Sequence, residues 1–296
     1  MINVENGTGD YSLTQKEASG KQGQANGRGS VVFGGFRGDE PNDTPNSIPN
    51  DDASVNNLDQ DAYNDTVSKA TGIQSAVFGA GNRAYGDWNF IMGKDSKTCS
   101  RAAYIFGGKN YVGDPTNTSK YLYSMAVGSL NSIGSTNSFA AGSQNTVSAD
   151  YAVSIGYQNS ATAQGAMVFG MGSNATGPSA VAFGLNTDSK GNSSFAAGRA
   201  TSAEADYSAT FGLGTYAISG TVPQGAFVIG KFNKKDSTAL FQIGNGTSGA
   251  TADRSNAFEV TIDGYIRLPN YADVSGTTII NYKTFKCVDG VLTAID

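Results

Sequence analysis

Ser160-Ala161-Thr162-Ala163-Gln164-Gly165-Ala166-Met167-Val168-Phe169-Gly170 holds most of one period of this chain. Its closing glycine recurs as Gly128, Gly142, Gly156, Gly170, Gly184, Gly198 and Gly212, 14 residues apart each time. A short fixed period marks a chain wound into like coils. Bulky residues stand three and one places before the glycine, as Met167/Phe169, Val153/Ile155 and Val181/Phe183, with Val168, Ser154 and Ala182 between them. That is the period-2 alternation of a strand with two unlike faces, without the spacings of a helix. A weaker pair of mostly small residues follows five and seven places after the glycine, as Val147/Ala149, Ala161/Ala163 and Ala203/Ala205. Each coil therefore reads as two strands of about five residues and two turns. The glycine is expected at a corner where φ is positive or backbones approach closely.

Carrying the frame outward adds Gly79, Gly93 and Gly107 before the run, and Gly230 and Gly244 after it, all as structural turn glycines. The phrase Ser30-Val31-Val32-Phe33-Gly34 belongs to the same series. The step is 45 residues from Gly34 to Gly79, 21 from Gly107 to Gly128 and 18 from Gly212 to Gly230. Each excess reads as an insertion in a turn, at about 36–66, 113–123 and 215–224, where a solenoid accepts extra chain without breaking its ladder. Residues 1–244 are thus the repeat domain. Residues 245–296 read as a β-rich cap or connector, with Asp289-Gly290 as the turn of a hairpin over 279–295.

Composition agrees. With 39 Gly, 15% charged and 10% aromatic residues in 296, the chain is turn-rich and strand-like rather than disordered. A net charge of -5 gives no broad basic face for nucleic acid. No run reaches membrane-spanning length, and Met1-Ile2-Asn3-Val4-Glu5 lacks a secretion signal, so the expectation is no membrane insertion and synthesis in a host cytoplasm. Cys99 and Cys287 are too few and too far apart for a disulfide framework. A 14-residue coil encloses little, so burying surface against copies of itself is the economical solution, and threefold association would bring a small-residue strand face to a shared axis.

The glycine phrase on its 14-residue beat resembles the head repeats of trimeric autotransporter adhesins over about residues 16–244. The resemblance implies a left-handed parallel β-roll in a homotrimer. Tailed-phage fibres and receptor-binding proteins share these repeats, and two features favour them. The secretion signal and C-terminal membrane barrel of autotransporters have no counterpart in this sequence. The stretch Gly244-Asn245-Gly246-Thr247, with Arg254-Ser255-Asn256-Ala257-Phe258-Glu259-Val260 and Asp263-Gly264 after it, is similar to a closing segment of phage and prophage tail proteins. The expectation is a virion protein, a tail fibre or receptor-binding protein for host attachment, whose partners are itself, other virion proteins and a bacterial surface polysaccharide or protein. A purely architectural fibre and a bacterial adhesin head are the alternatives.

Catalysis is not expected. The absence of histidine removes Ser-His-Asp and Cys-His triads and histidine metal sites, and no cofactor or metal is expected. Asp150, Asp188, Glu204 and Asp206 sit singly in turns and read as solvated turn residues. Gly79-Ala80-Gly81 superficially suggests a phosphate loop, but no helix follows it. An ice-binding ladder would want regular Thr-x-Thr, which is missing. Recognition is placed where the beat fails. The acidic insertion, with Asp51 and Asp52, reads as a solvated loop or an exposed contact loop. Around the second insertion Tyr111, Tyr121 and Tyr123, with Trp88 in a turn of an earlier coil, are candidates for a receptor or partner contact or for packing between copies.

Overall fold

The computed structural model describes residues 11–13, 24–25, 31–33, 68–114, 121–218, 224–268, 285–288 and 291–295. The fold is all-β, a parallel β-solenoid of about eleven turns of about 14 residues. Two compact units divide the chain, residues 1–151 and 152–296. The acidic insertion with Asp51 and Asp52, residues 279–284 and the 289–290 turn lie outside the described residues.

In each unit a long strand and a short strand alternate. The first unit stacks Val31–Phe33, Ala76–Ala80, Phe90–Lys94, Arg101–Gly108, Tyr121–Ser129 and Phe139–Ser143, all parallel. The glycines lie in register, Gly79 against Gly93, Gly93 against Gly107, Gly107 against Gly128 and Gly128 against Gly142. The long steps do not disturb this register: Val31 pairs with Ala76, and in the second unit Gly212 pairs with Gly230. The second unit repeats the pattern from Val153–Tyr157 through Phe227–Lys231 to Ala239–Asn245.

The short strand has two residues rather than five, as in Arg83–Ala84 or Ser160–Ala161. It is cut short because the residue three places after the glycine is turned inward; Thr201 and Thr215 are buried at this place with hydroxyls that find no partner among the described residues, whereas in most coils the residue bonds the backbone. Asn131 shows how. Its amide donates to the Val127 and Gly142 carbonyls, both at 3.0 Å, while its Oδ1 accepts from the backbone N–H of Asn145 at 3.1 Å. Asn82, Ser96, Asn110, Asn145, Asn159, Ser173 and Thr187 occupy the same place, are buried, and form like bonds from coil to coil. These side chains satisfy corner groups that a coil this narrow removes from water.

From Ala76–Ala80 onward the repeated glycine is the next-to-last residue of the long strand rather than a corner residue. Its φ is positive from Gly79 to Gly230; at Gly170, where φ is +141°, an added Cβ would lie 1.8 Å from the carbonyl oxygen of Gly184. Stacked coils come that close only without a side chain. Gly244, the last of the series, lacks the positive φ, and there the parallel ladder ends.

Inside the coils the residue two before the glycine faces the residue five after it. In the first unit these are Val77, Ile91 and Ile105 with Ala84, Thr98 and Val112, all fully buried. In the second they shrink to pairs such as Ser154 with Ala161 and Ala196 with Ala203. The residues two before the glycine thus line the coil's own interior. The bulky columns point outward instead. After Ala239–Asn245 the pairing turns antiparallel, with Asn256–Thr261 and then Ile266–Arg267. Phe285–Val288 and Val291–Ile295 pair antiparallel with each other. Arg254 ties this segment to the coils by donating to the carbonyls of Gly214 at 2.9 Å and Asn233 at 3.2 Å.

Candidate functional site

Two surfaces follow from the repeat. The first is the outer face of the long strands, which carries the residues three before, one before and one after each glycine. In the second unit it runs Phe169, Phe183, Phe195, Phe211, Phe227 and Phe241, with ring centroids 6.2 Å apart for Phe169 and Phe183 and 5.3 to 5.7 Å apart along the last four. Met167, Met171, Leu213 and Tyr157 flank this column and are exposed, and Phe183 is 56% exposed. The first unit has a shorter ladder, Phe78, Phe90 and Phe106, at 5.4 and 5.6 Å. The outward positions of the short strands are mostly polar, among them Lys97, Thr146, Ser160, Asn174 and Asp188. In the second unit large side chains stand outside and mostly small ones inside, the reverse of an ordinary globular core.

The second surface is the corner that leads into the long strand. The residue five before each glycine adopts positive φ there: Gln74, Trp88, Ala102, Tyr123, Asn137 and Tyr151 in the first unit, at 49° to 61°. Glycine and asparagine accept this conformation readily, whereas aromatic residues in it are uncommon. Trp88 is 43% exposed, Tyr123 61% and Tyr151 57%. The Trp88 indole Nε1 donates to Gln74 Oε1 at 2.7 Å, which fixes its ring along the column. Asp87 and Asp150 precede Trp88 and Tyr151, and each accepts a backbone N–H from the preceding coil at 2.8 Å, from Ile73 and Thr136. Arg101 reaches Asp87 at 3.1 Å. In the second unit Asp206 holds the N–H of Asn192 in the same way, beside the exposed Tyr207.

The aromatic candidates therefore separate. Trp88 and Tyr123 share the corner column. Tyr111 lies on the short strand Tyr111–Val112, half-buried, with its hydroxyl 2.7 Å from Cys99 Sγ. Burial pushes the Cys99 thiol up from its ordinary value despite the Tyr111 contact, and burial with that contact pushes the Tyr111 phenol up as well. Tyr121 begins the strand Tyr121–Ser129, its side chain outside the described residues. Tyr151 joins the column of the first unit unannounced by local sequence, and Tyr207 takes the same kind of corner in the second, although counting five places back from each glycine would have collected both. Asp150 and Asp206, read from the sequence as solvated turn residues, each hold a backbone N–H of the preceding coil. Asp188, expected in a turn but placed on the short strand Asp188–Ser189, and Glu204 face Lys190, which lies 3.1 Å from Glu204 and has its pKa raised by that bond.

Among the described residues no group of three or more Cys, Asp and Glu could hold a metal ion. No described helix is long and apolar enough to cross a membrane. No protein-family model and no curated protein matches the sequence.

Proposed function

We propose that this chain is a non-enzymatic structural and adhesive virion protein, a homotrimeric tail fibre or receptor-binding protein built on a left-handed β-roll. The observation that carries the reading is the inverted distribution of apolar bulk. The coil interior of the second unit is mostly Ala, Ser and Thr, while its phenylalanine ladder and flanking methionines are left half-open on one flat face. A face of this kind is stable when covered by copies of itself, and cyclic association closes it without leaving a free patch. Three copies, the hand of the coil and the virion setting rest on the resemblance of the repeat to adhesin heads and phage fibres. The antiparallel segment after Gly244 acts as the cap that ends the ladder, since a bare parallel edge invites further pairing.

Native mass measurement with pull-down on bacterial envelopes tests the proposal. A trimer that binds the envelope of a host strain supports it. A monomer would overturn the self-association argument, and a trimer that ignores every envelope would move the assignment to an architectural part of the particle.

A further inference from the structure

We propose that the corner column of the first unit is a glycan-binding platform, with Trp88, Tyr123 and Tyr151 as stacking rungs for the sugar rings of an extended, hydroxyl-rich polysaccharide. The inference rests on the host-surface reading above and gives it a site and a ligand class.

The spacing is the first argument. Gly93, Gly128 and Gly156 close the coils of Trp88, Tyr123 and Tyr151, with one coil between each pair, closed by Gly107 and Gly142. Strands stack roughly 4.8 Å apart, so the rings recur about every 10 Å, close to the length of two pyranose rings in an extended chain. The coils between place Ala102 and Asn137 at the same corner, so each aromatic rung is followed by a low one. Beside those low rungs stand the exposed Asn137 amide and the Arg101 guanidinium, the latter held by Asp87 at 3.1 Å, a polar setting that matches a ligand whose ring faces are apolar and whose rims carry hydroxyls.

Backbone cost is the second argument. Gly165 and Gly225 hold the equivalent corner in the second unit, and Asn137 holds it in the first, so the turn itself has no need of an aromatic residue. Three large rings stand where a smaller residue would be less strained, and outliers of this kind gather at binding sites. The rings are also preorganised. They stand on a hydrogen-bonded ladder, with Trp88 N–H donating to Ile73 O at 2.9 Å and Tyr151 N–H to Thr136 O at 2.9 Å.

Trp88 is the only tryptophan in the chain, so its fluorescence reports directly on the platform. The test places the full-length protein on an array of purified bacterial O-antigen and capsular polysaccharides. The comparison is the triple variant Trp88→Asn, Tyr123→Asn, Tyr151→Asn, which keeps a residue suited to positive φ at every corner. Retention of a polysaccharide by the wild type, a shift of Trp88 emission on adding that polysaccharide in solution, and at least roughly tenfold weaker binding by the variant are expected. Equal retention by the variant, no retained polysaccharide in the wild type, or a variant of altered native mass would overturn the proposal, the last by showing that the rings pack between copies. Envelope pull-down separates the two readings: a variant that still binds envelopes removes this site and leaves the host-surface assignment standing, whereas a wild type that binds none removes both.

Discussion

Replacing Gly170 by alanine is expected to be among the most damaging single-methyl changes in the chain. At φ +141° the new Cβ would sit 1.8 Å from Gly184 O, where ordinary contact begins at 3.4 Å. The atom it meets is backbone, so relief requires the two coils to part. Three bonds join those two coils: Ser173 Oγ to Gly184 O at 3.1 Å, Asn186 N–H to Met171 O at 2.9 Å, and Thr187 N–H to Ser173 Oγ at 3.1 Å. Positive-φ strain of about 1–3 kcal/mol and about 1 kcal/mol for each weakened bond give a loss of about 4–6 kcal/mol. Gly225→Ala is the control. Its φ is also positive, at +86°, but nothing lies within 4 Å of the added carbon, so only the strain of about 1–3 kcal/mol applies. Denaturant unfolding followed by far-ultraviolet circular dichroism, at one chain concentration, compares the two. Losses equal to within about 1 kcal/mol would refute the argument that close approach of coils, rather than φ alone, demands the glycine.

Asn131→Ala removes the donor to Val127 O and Gly142 O and the acceptor for Asn145 N–H; a loss of about 3 kcal/mol is expected, with faster hydrogen exchange at Asn145, and Asn131→Ser should recover part of it because Ser96 and Ser173 serve the same position. Phe211→Asp puts a charge in the phenylalanine ladder between Phe195 and Phe227; native mass should fall to that of one chain while the β-sheet spectrum persists, and an unchanged oligomer would show that the face is not the contact. Burial raises the Cys99 thiol above its ordinary 9.0, so the folded state favours the neutral form. That contribution is complete below the unfolded value and is lost as pH rises through the folded one, so the wild type should lose stability above about pH 9 more steeply than Cys99→Ser, as read from melting temperature against pH.

The coil, its period and the places where extra chain enters can be read from the order of the amino acids alone. Those are carried by a glycine whose backbone requirement only one residue meets, repeated often enough to be counted. The Gly-x-x-Asn/Ser/Thr spacing that closes the corners, as in Gly128 to Asn131 and Gly170 to Ser173, was legible too, though it carries no apolar signal to draw the eye. Which face of the long strand points inward was decided only in the tertiary structure. Alternation at Met167-Val168-Phe169 distinguishes two faces without ordering them, and the narrow coil admits Val168 while Met167 and Phe169 stay outside. The aromatic column was hidden for a related reason. Trp88, Tyr123 and Tyr151 are separated by 35 and 28 residues in sequence and share a surface only because the coils stack in register through an insertion that the ladder absorbs.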